Sequence, residues 1–211
     1  MPICDYNYHN LQSGSVHVVE DEMVFGVPMW HEFPAFFVGG ETAMALIIRE
    51  ATSADIPDLA HLHVKTWNAT YPDVLSPPTY EIRLRQWREA FQSTDESVFC
   101  FVVEDENGQL VGFAKGVPHD GLADFSGQLS KIYLLKEYQR QGLGRRLVGH
   151  VVRRFLTQDI TSMVLFADAQ NPSCGFYEAL GAERLLDDAG NFHGGYGWRD
   201  LRRLAAICPI E

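Results

Sequence analysis

No pair of cysteines in this sequence has metal-ligand or redox spacing: Cys4, Cys100, Cys174 and Cys208 stand far apart. They read as free thiols of a reducing compartment, and no metal site is expected. No apolar run approaches the roughly 18 residues that a membrane helix needs, so no membrane span is expected. The amino-terminal stretch lacks both the basic start and the continuous apolar core of a secretory signal, which points to a cytoplasmic protein. Basic charge is scarce overall. Seventeen Lys and Arg face 28 Asp and Glu, for a net charge of −11, and no Lys or Arg precedes Arg49. A nucleic-acid partner held by a broad basic face is thereby excluded.

What is present is an ordinary globular balance of 46% hydrophobic and 21% charged residues over 211 positions. That suits one domain with an appendage. Residues 1–44 form an acidic, aromatic extension without helical period, and residues 45–205 carry the regular pattern. Residues 206–211 read as a carboxy-terminal tail. Leu46 to Arg49 reads as a strand. Ile56, Leu59, Ala60, His63, Val64 and Trp67 recur at helical steps after Ser53, Asp55 and Pro57. A second helix holds Ile82, Trp87 and Phe91. Val98–Val103 and Leu110–Val117 read as strands joined at Asn107-Gly108. A polar loop then leads to a strand over Leu129–Leu135. A helix over Leu143–Leu156, a buried strand over Ser162–Ala167 and a helix over Pro172–Leu180 follow. Glu183–Leu186 and Tyr196–Arg202 close as strands. The pattern predicts a mixed α/β domain around one central sheet.

The basic residues that do occur are concentrated. Between positions 131 and 154 stand Lys131, Lys136, Arg140, Arg145, Arg146, Arg153 and Arg154, against the single acid Glu137. A solvated helix face accounts for most charge runs. Here, however, Gln139-Arg-Gln-Gly142-Leu-Gly144-Arg145 joins a strand to a helix. Glycines let the backbone approach a ligand. The first amides of a helix point outward without internal partners and, with the helix dipole, attract an anion. Arg140 and Arg145 add charge at the same spot. The arrangement suits a pyrophosphate. Alone, Gln-x-x-Gly-x-Gly equally describes a turn that packs strand on helix.

A second motif, Asn171-Pro-Ser-Cys174-Gly-Phe176-Tyr177, follows the buried strand about thirty residues on. With both motifs in this order, the stretch from Leu46 to Arg203 resembles the GCN5-related N-acetyltransferase (GNAT) superfamily. The resemblance implies a mostly antiparallel sheet of six to seven strands, splayed between the fourth and fifth and flanked by helices. It implies acetyl-CoA as cofactor. Gln139, Arg140, Gln141, Gly142, Leu143, Gly144 and Arg145 then stand where the family holds the CoA phosphates. Ile132, Tyr133 and Leu134 stand where a strand pairs with pantetheine, and Asn171 where its arm is contacted. Tyr177 stands where a tyrosine protonates the departing thiolate. A homodimer is the family default.

The implied activity is direct transfer of acetyl to a primary amine of a small molecule or a protein N-terminus. The contrasting reading is a non-catalytic acyl-CoA sensor or interaction module. Trp67 and Tyr71, with Tyr80, are candidate walls of the acceptor site, and ordinary packing is their alternative role. The acidic balance favours a cationic amine. Glu104, His119, Asp120, Asp124, Asp168 and His193 are the candidates for a general base. Cys174 reads as a small packing thiol rather than a nucleophile.

Overall fold

The computed structural model describes residues 46–92, 97–171 and 173–211. The expected extension over residues 1–44 lies wholly outside them. Seven strands form one sheet: β1 (Ile47–Glu50), β2 (Phe99–Glu104), β3 (Leu110–Leu122), β4 (Phe125–Leu134), β5 (Met163–Phe166), β6 (Glu183–Leu186) and β7 (Phe192–Trp198). Their order is β1-β2-β3-β4-β5-β7-β6. Every pair is antiparallel except β4 and β5. Among the described residues five α-helices flank it: α1 (Ile56–Thr70), α2 (Tyr80–Gln92), α3 (Leu143–Thr157), α4 (Cys174–Glu178) and α5 (Leu201–Ile207).

The two-residue repeat of the strands sorts neighbours onto opposite faces. Val103, Ala114 and Ile132 join Leu147, Val148, Val151, Val152 and Phe155 of α3 in one apolar core. Val102, Phe113 and Tyr133 join Ile56, Leu59, Ala60 and Leu62 of α1 and Trp87 of α2 in another. The entry to α1 is fixed by charge. Arg49 donates to both carboxylate oxygens of Asp55, at 2.8 and 2.9 Å, and to Glu104 at 2.7 Å. Thr52 and Asp55 form a capping box there. The Arg49 bonds, aided by those from Thr52, hold the Asp55 carboxyl down at about 2.

Two parts differ from the sequence-based expectation. The stretch expected as a loop before Leu129 is strand: β3 and β4 continue through Pro118, His119 and Gly127 to a tight turn at Ala123-Asp124. Pro118 and the glycines read as loop signals. Their tolerance comes from tertiary pairing, which propensity does not see. The expected last strand ends at Trp198, and Leu201–Ile207 is helical, capped by the Asp200 carboxylate on the Arg202 N–H at 2.9 Å. The tail expected from residue 206 begins inside this helix. Arg153 of α3 donates to the carbonyls of Ala205 at 3.1 Å and Cys208 at 2.8 Å, and Cys208 is buried.

One feature of the sheet positions everything that follows. β4 and β5 pair only at Gly127–Met163 and Gln128–Val164. Beyond that point β4 continues to Leu134 while its ladder with β5 has ended. The register with β3 also slips there: Lys115 pairs with Lys131 but Gly116 with Leu129, leaving Ser130 as the extra residue of a bulge.

Candidate active site

The gap beside β4 is lined by backbone. The Leu135 N–H donates to the Val111 carbonyl at 2.9 Å, which directs residue 135 toward β3. Alternation then turns the N–H and C=O of Leu134 and Ile132 away from β3, into the gap. The Leu134 carbonyl accepts from Gln139 Nε2 at 3.0 Å, tying the strand end to the loop that follows. Tyr133 is buried and points to the α1 side, stacked on Phe113 with ring centroids 5.1 Å apart. By the same alternation its backbone N–H and C=O face Phe113 of β3, so of the expected trio only Ile132 and Leu134 present backbone to the gap.

The loop from Gln139 to Gly144 delivers the first turn of α3. Gly142 is the helix N-cap at φ 83°, a left-handed conformation that only glycine adopts without strain. No side chain caps this end and no acid occupies the first turn. The leading amides therefore face outward with the positive end of the dipole. Arg140, itself at φ 64°, and Arg145 are both exposed beside it. Gln141 Nε2 donates to the Glu137 carbonyl at 2.9 Å and closes the loop. Gly144 faces α4: a Cβ there would stand 3.2 Å from Phe176 Cζ. The same segment thus offers an anion site and a close helix–helix contact.

Asn171 stands on the other side of the gap, after β5. Its Oδ1 accepts from the Ser173 N–H at 2.8 Å. Its Nδ2 is buried and has no hydrogen-bond partner among the described residues. A buried donor left unpaired is costly, so this one marks a place for an acceptor. A ligand with a pyrophosphate and an amide-bearing arm fits the set: outward helix amides with two arginines at one end, a free strand edge and a lone amide donor along the rest.

Tyr177 lies on α4 at 0% exposure. It touches Phe176, Tyr196 and Trp198, with centroids 5.4, 5.6 and 6.3 Å away. Burial, and then the neighbouring Cys174, Tyr71 and Tyr196, push its pKa well above the ordinary phenol value. The group stays a neutral O–H donor. Tyr196 donates its own hydroxyl to Glu178 at 2.9 Å. Cys174 Sγ lies 3.5 Å from the Asp168 carbonyl, a packed thiol.

Trp67 and Tyr71 come together at the end of α1, with ring centroids 5.2 Å apart, and Tyr71 is close enough to influence Tyr177. Tyr80 goes elsewhere and stacks on His61 at 4.1 Å. Both line an open depression of about 540 Å³ with Lys65, Gln109 and Leu135. That depression holds none of the strand-edge, loop or tyrosine groups described above.

The structure also separates the base candidates. Glu104 is bound to Arg49, Asp124 to Arg199 at 2.8 Å, and His193 to Asp187 at 2.8 Å in the β6–β7 turn. Asp168 accepts from the Gln170 N–H at 2.8 Å, and Asp120 is exposed. His119 is half-buried on β3, 6.2 Å from the Phe166 ring at the end of β5. Burial lowers its pKa, partly offset by a hydrogen bond with Gln128 and the charge of Asp120. Gln128 is the last β4 residue paired with β5.

Comparison with known proteins gives this geometry a context. The profile of the acetyltransferase (GNAT) family matches residues 42–182. The uncharacterized N-acetyltransferase YuaI of Bacillus subtilis is 34% identical over 169 residues, covering 76% of this chain and 96% of that protein. A phosphinothricin N-acetyltransferase of Streptomyces viridochromogenes is 27% identical over 161 residues, covering 73% and 83%. Among solved structures, the PaiA N-acetyltransferase of Thermoplasma acidophilum in complex with coenzyme A shares the fold at a TM-score of 0.59 and 19% identity. The match covers 73% of this chain and 98% of that one.

Proposed function

Because the chain belongs to the GNAT acetyltransferase family and is an N-acetyltransferase that uses acetyl-CoA, we propose a division of labour among its residues. The observation that carries the proposal is the parting of β4 from β5 beside an uncapped helix start and a buried Asn171 amide without a hydrogen-bond partner among the described residues. The amides of Gln141, Gly142, Leu143, Gly144 and Arg145, with Gln139 and Arg140, hold the phosphates of the cofactor. The backbones of Ile132 and Leu134 pair with its arm, while Tyr133 between them faces β3 and supports the edge by packing, and Asn171 Nδ2 donates to an amide carbonyl of that arm.

Bound acetyl-CoA supplies an activated thioester. The protein's own groups provide what transfer further requires. The Leu134 N–H, directed into the gap, stabilises charge that develops on an acyl oxygen. Tyr177 Oη holds the proton that a leaving thiolate needs, and its raised pKa keeps that proton in place before reaction. His119 Nε2 or Nδ1 accepts a proton from the incoming ammonium, and its lowered pKa keeps the ring neutral at physiological pH. Trp67 and Tyr71 wall the acceptor side. The acceptor is a primary amine of a small molecule or a protein N-terminus, and nucleic acid is not among its partners. No helix of the described residues is long and apolar enough to cross a membrane. We place the protein in the cytoplasm, as a homodimer by the habit of its family.

Replacing Tyr177 by Phe tests the assignment. The variant is expected to bind acetyl-CoA as before and to lose about a hundredfold in turnover. Unchanged turnover removes Tyr177 from the mechanism, and a wild-type chain that binds acetyl-CoA but acetylates no amine is a sensor instead.

A further inference from the structure

Helix α4 is too short to set its own place. It has five residues, and its N-cap Ser173 makes no side-chain capping bond. A helix of that length is unstable without outside contacts. Yet it carries Tyr177, whose hydroxyl has to meet a leaving sulfur. A misplacement of about 1 Å in such a group can cost about a hundredfold in rate. Whatever fixes α4 therefore bears on the transfer.

The restraint comes from β7. Tyr196 and Trp198 stand two residues apart and leave the same face of that strand. Both rings meet the Tyr177 ring, with centroids 5.6 and 6.3 Å away. Each also ties down the chain just beyond Tyr177. Tyr196 Oη donates to Glu178 Oε1 at 2.9 Å, and Trp198 Nε1 donates to the Leu180 carbonyl at 2.9 Å. A side-chain hydrogen bond further links the Tyr196 hydroxyl with Cys174, the first residue of α4. One phenol group thus reaches both ends of the helix that carries Tyr177. In turn β7 is laddered to β5, with Leu165 opposite Tyr196 and Met163 opposite Trp198. The helix is held in register with a strand that borders the gap.

Glu178 has a second partner. Arg184, opposite Tyr196 in the β6–β7 ladder, donates to the same oxygen from Nε at 2.9 Å and Nη2 at 2.6 Å. That ion pair is exposed, and exposed pairs contribute little. The bond from Tyr196 is of the stronger kind, made by a fully buried hydroxyl to a charged acceptor. Burial raises the Tyr196 pKa, so the group remains a donor. Its proton is engaged by Glu178 and stays there through the reaction.

We propose that Tyr196, acting through Glu178, is the positioning residue for Tyr177, fixing α4 so that the Tyr177 hydroxyl faces the departing sulfur. This rests on the acid role given to Tyr177 in the acetyltransferase reading and deepens it.

A double-mutant cycle tests it. Free CoA is the readout, with whichever of spermidine, an α-amino acid amide or a tripeptide with a free N-terminus turns over fastest. Tyr196→Phe keeps the ring and removes only the hydroxyl. It is expected to lower kcat about tenfold while the Kd for acetyl-CoA stays within twofold. Added to Tyr177→Phe, the same change should cost nothing further, because the group it positions is gone. Glu178→Ala should match Tyr196→Phe, and Glu178→Gln, whose amide oxygen still accepts the bond, should regain most of the loss. Glu178 is exposed, so its variants run the cycle even where Tyr196→Phe does not fold. Wild-type kcat in folded Tyr196→Phe, or in Glu178→Ala, overturns the proposal. So does an equal loss with and without Tyr177, and either result leaves the acetyltransferase reading standing. Unchanged turnover in Tyr177→Phe instead removes the acid role and this proposal with it, and no CoA release with any of the amines removes the acetyltransferase reading as well.

Discussion

The two faces of the sheet are built from different materials. The α3 face buries Leu147, Val148, Val151, Val152 and Phe155 against strand aliphatics, with Tyr177 and Trp198 at its edge. The α1–α2 face has a smaller apolar cluster and buries His63 and Arg83 next to it, with Lys115 and Lys131 half-exposed. Burying hydrocarbon stabilises at about 25 cal/mol per Å². Burying imidazole and guanidinium costs free energy unless they are paired. The first face is suited to holding the domain together, and the second carries polar side chains among its aromatic rings, with Arg83 donating to Gln86 at 2.8 Å. Tyr177 belongs to the first by packing, its ring meeting Tyr196 and Trp198 with centroids 5.6 and 6.3 Å away.

Substitutions should divide along this line. The largest loss of stability is expected at Leu147→Ala, which empties a fully buried site on the α3 face and should cost about 2–5 kcal/mol by denaturant titration. A cost below 1 kcal/mol there would break the contrast. Tyr177→Phe comes next, with about a hundredfold loss of turnover and an almost unchanged melting temperature, read by paired kinetics and calorimetry.

His63 sharpens the comparison through pH. Its imidazole is buried neutral, with a folded pKa far below the ordinary value of about 6.5. The unfolded chain takes up a proton below that value and the folded chain does not. Stability from this group is therefore complete above about pH 6.5 and declines by up to about 1.4 kcal/mol per unit as pH falls below it. Thermal unfolding of wild type and His63→Leu between pH 7.5 and 5 should show the variant with the flatter dependence. Parallel curves would mean that other groups govern it. The smallest effect is expected at Gly142→Ala. A Cβ there meets nothing within 4 Å, so only the left-handed backbone is strained, at about 1 kcal/mol. A modest fall in melting temperature should accompany weaker binding of acetyl-CoA.

Much of this was legible in the sequence because the signals were local. Gln139, Gly142 and Gly144 form a turn whose chemistry is written in six consecutive residues, and α3 follows with unbroken apolar period. Asn171 and Tyr177 were singled out by the resemblance to the family, not by spacing alone. The long β3–β4 hairpin was not legible, since Pro118, Gly121 and Gly127 signal a loop and only cross-strand pairing overrides them. Residues 201–207 lack the period of a long helix, and the contact with Arg153 that holds α5 is far away in sequence. The opposition of Lys115 and Lys131 is a matter of register, set by a bulge at Ser130 that no single residue announces. Likewise, choosing His119 among six candidates required knowing which acids were already bound to arginine.

The gap between β4 and β5 is the proposed cofactor site. Thermal unfolding with and without acetyl-CoA, with ATP and NAD as controls, tests that most directly. At about 100 times its dissociation constant acetyl-CoA should stabilise the fold by roughly 2.7 kcal/mol, while ATP and NAD at the same concentration should do much less. No stabilisation by millimolar acetyl-CoA, or equal stabilisation by all three, would contradict it.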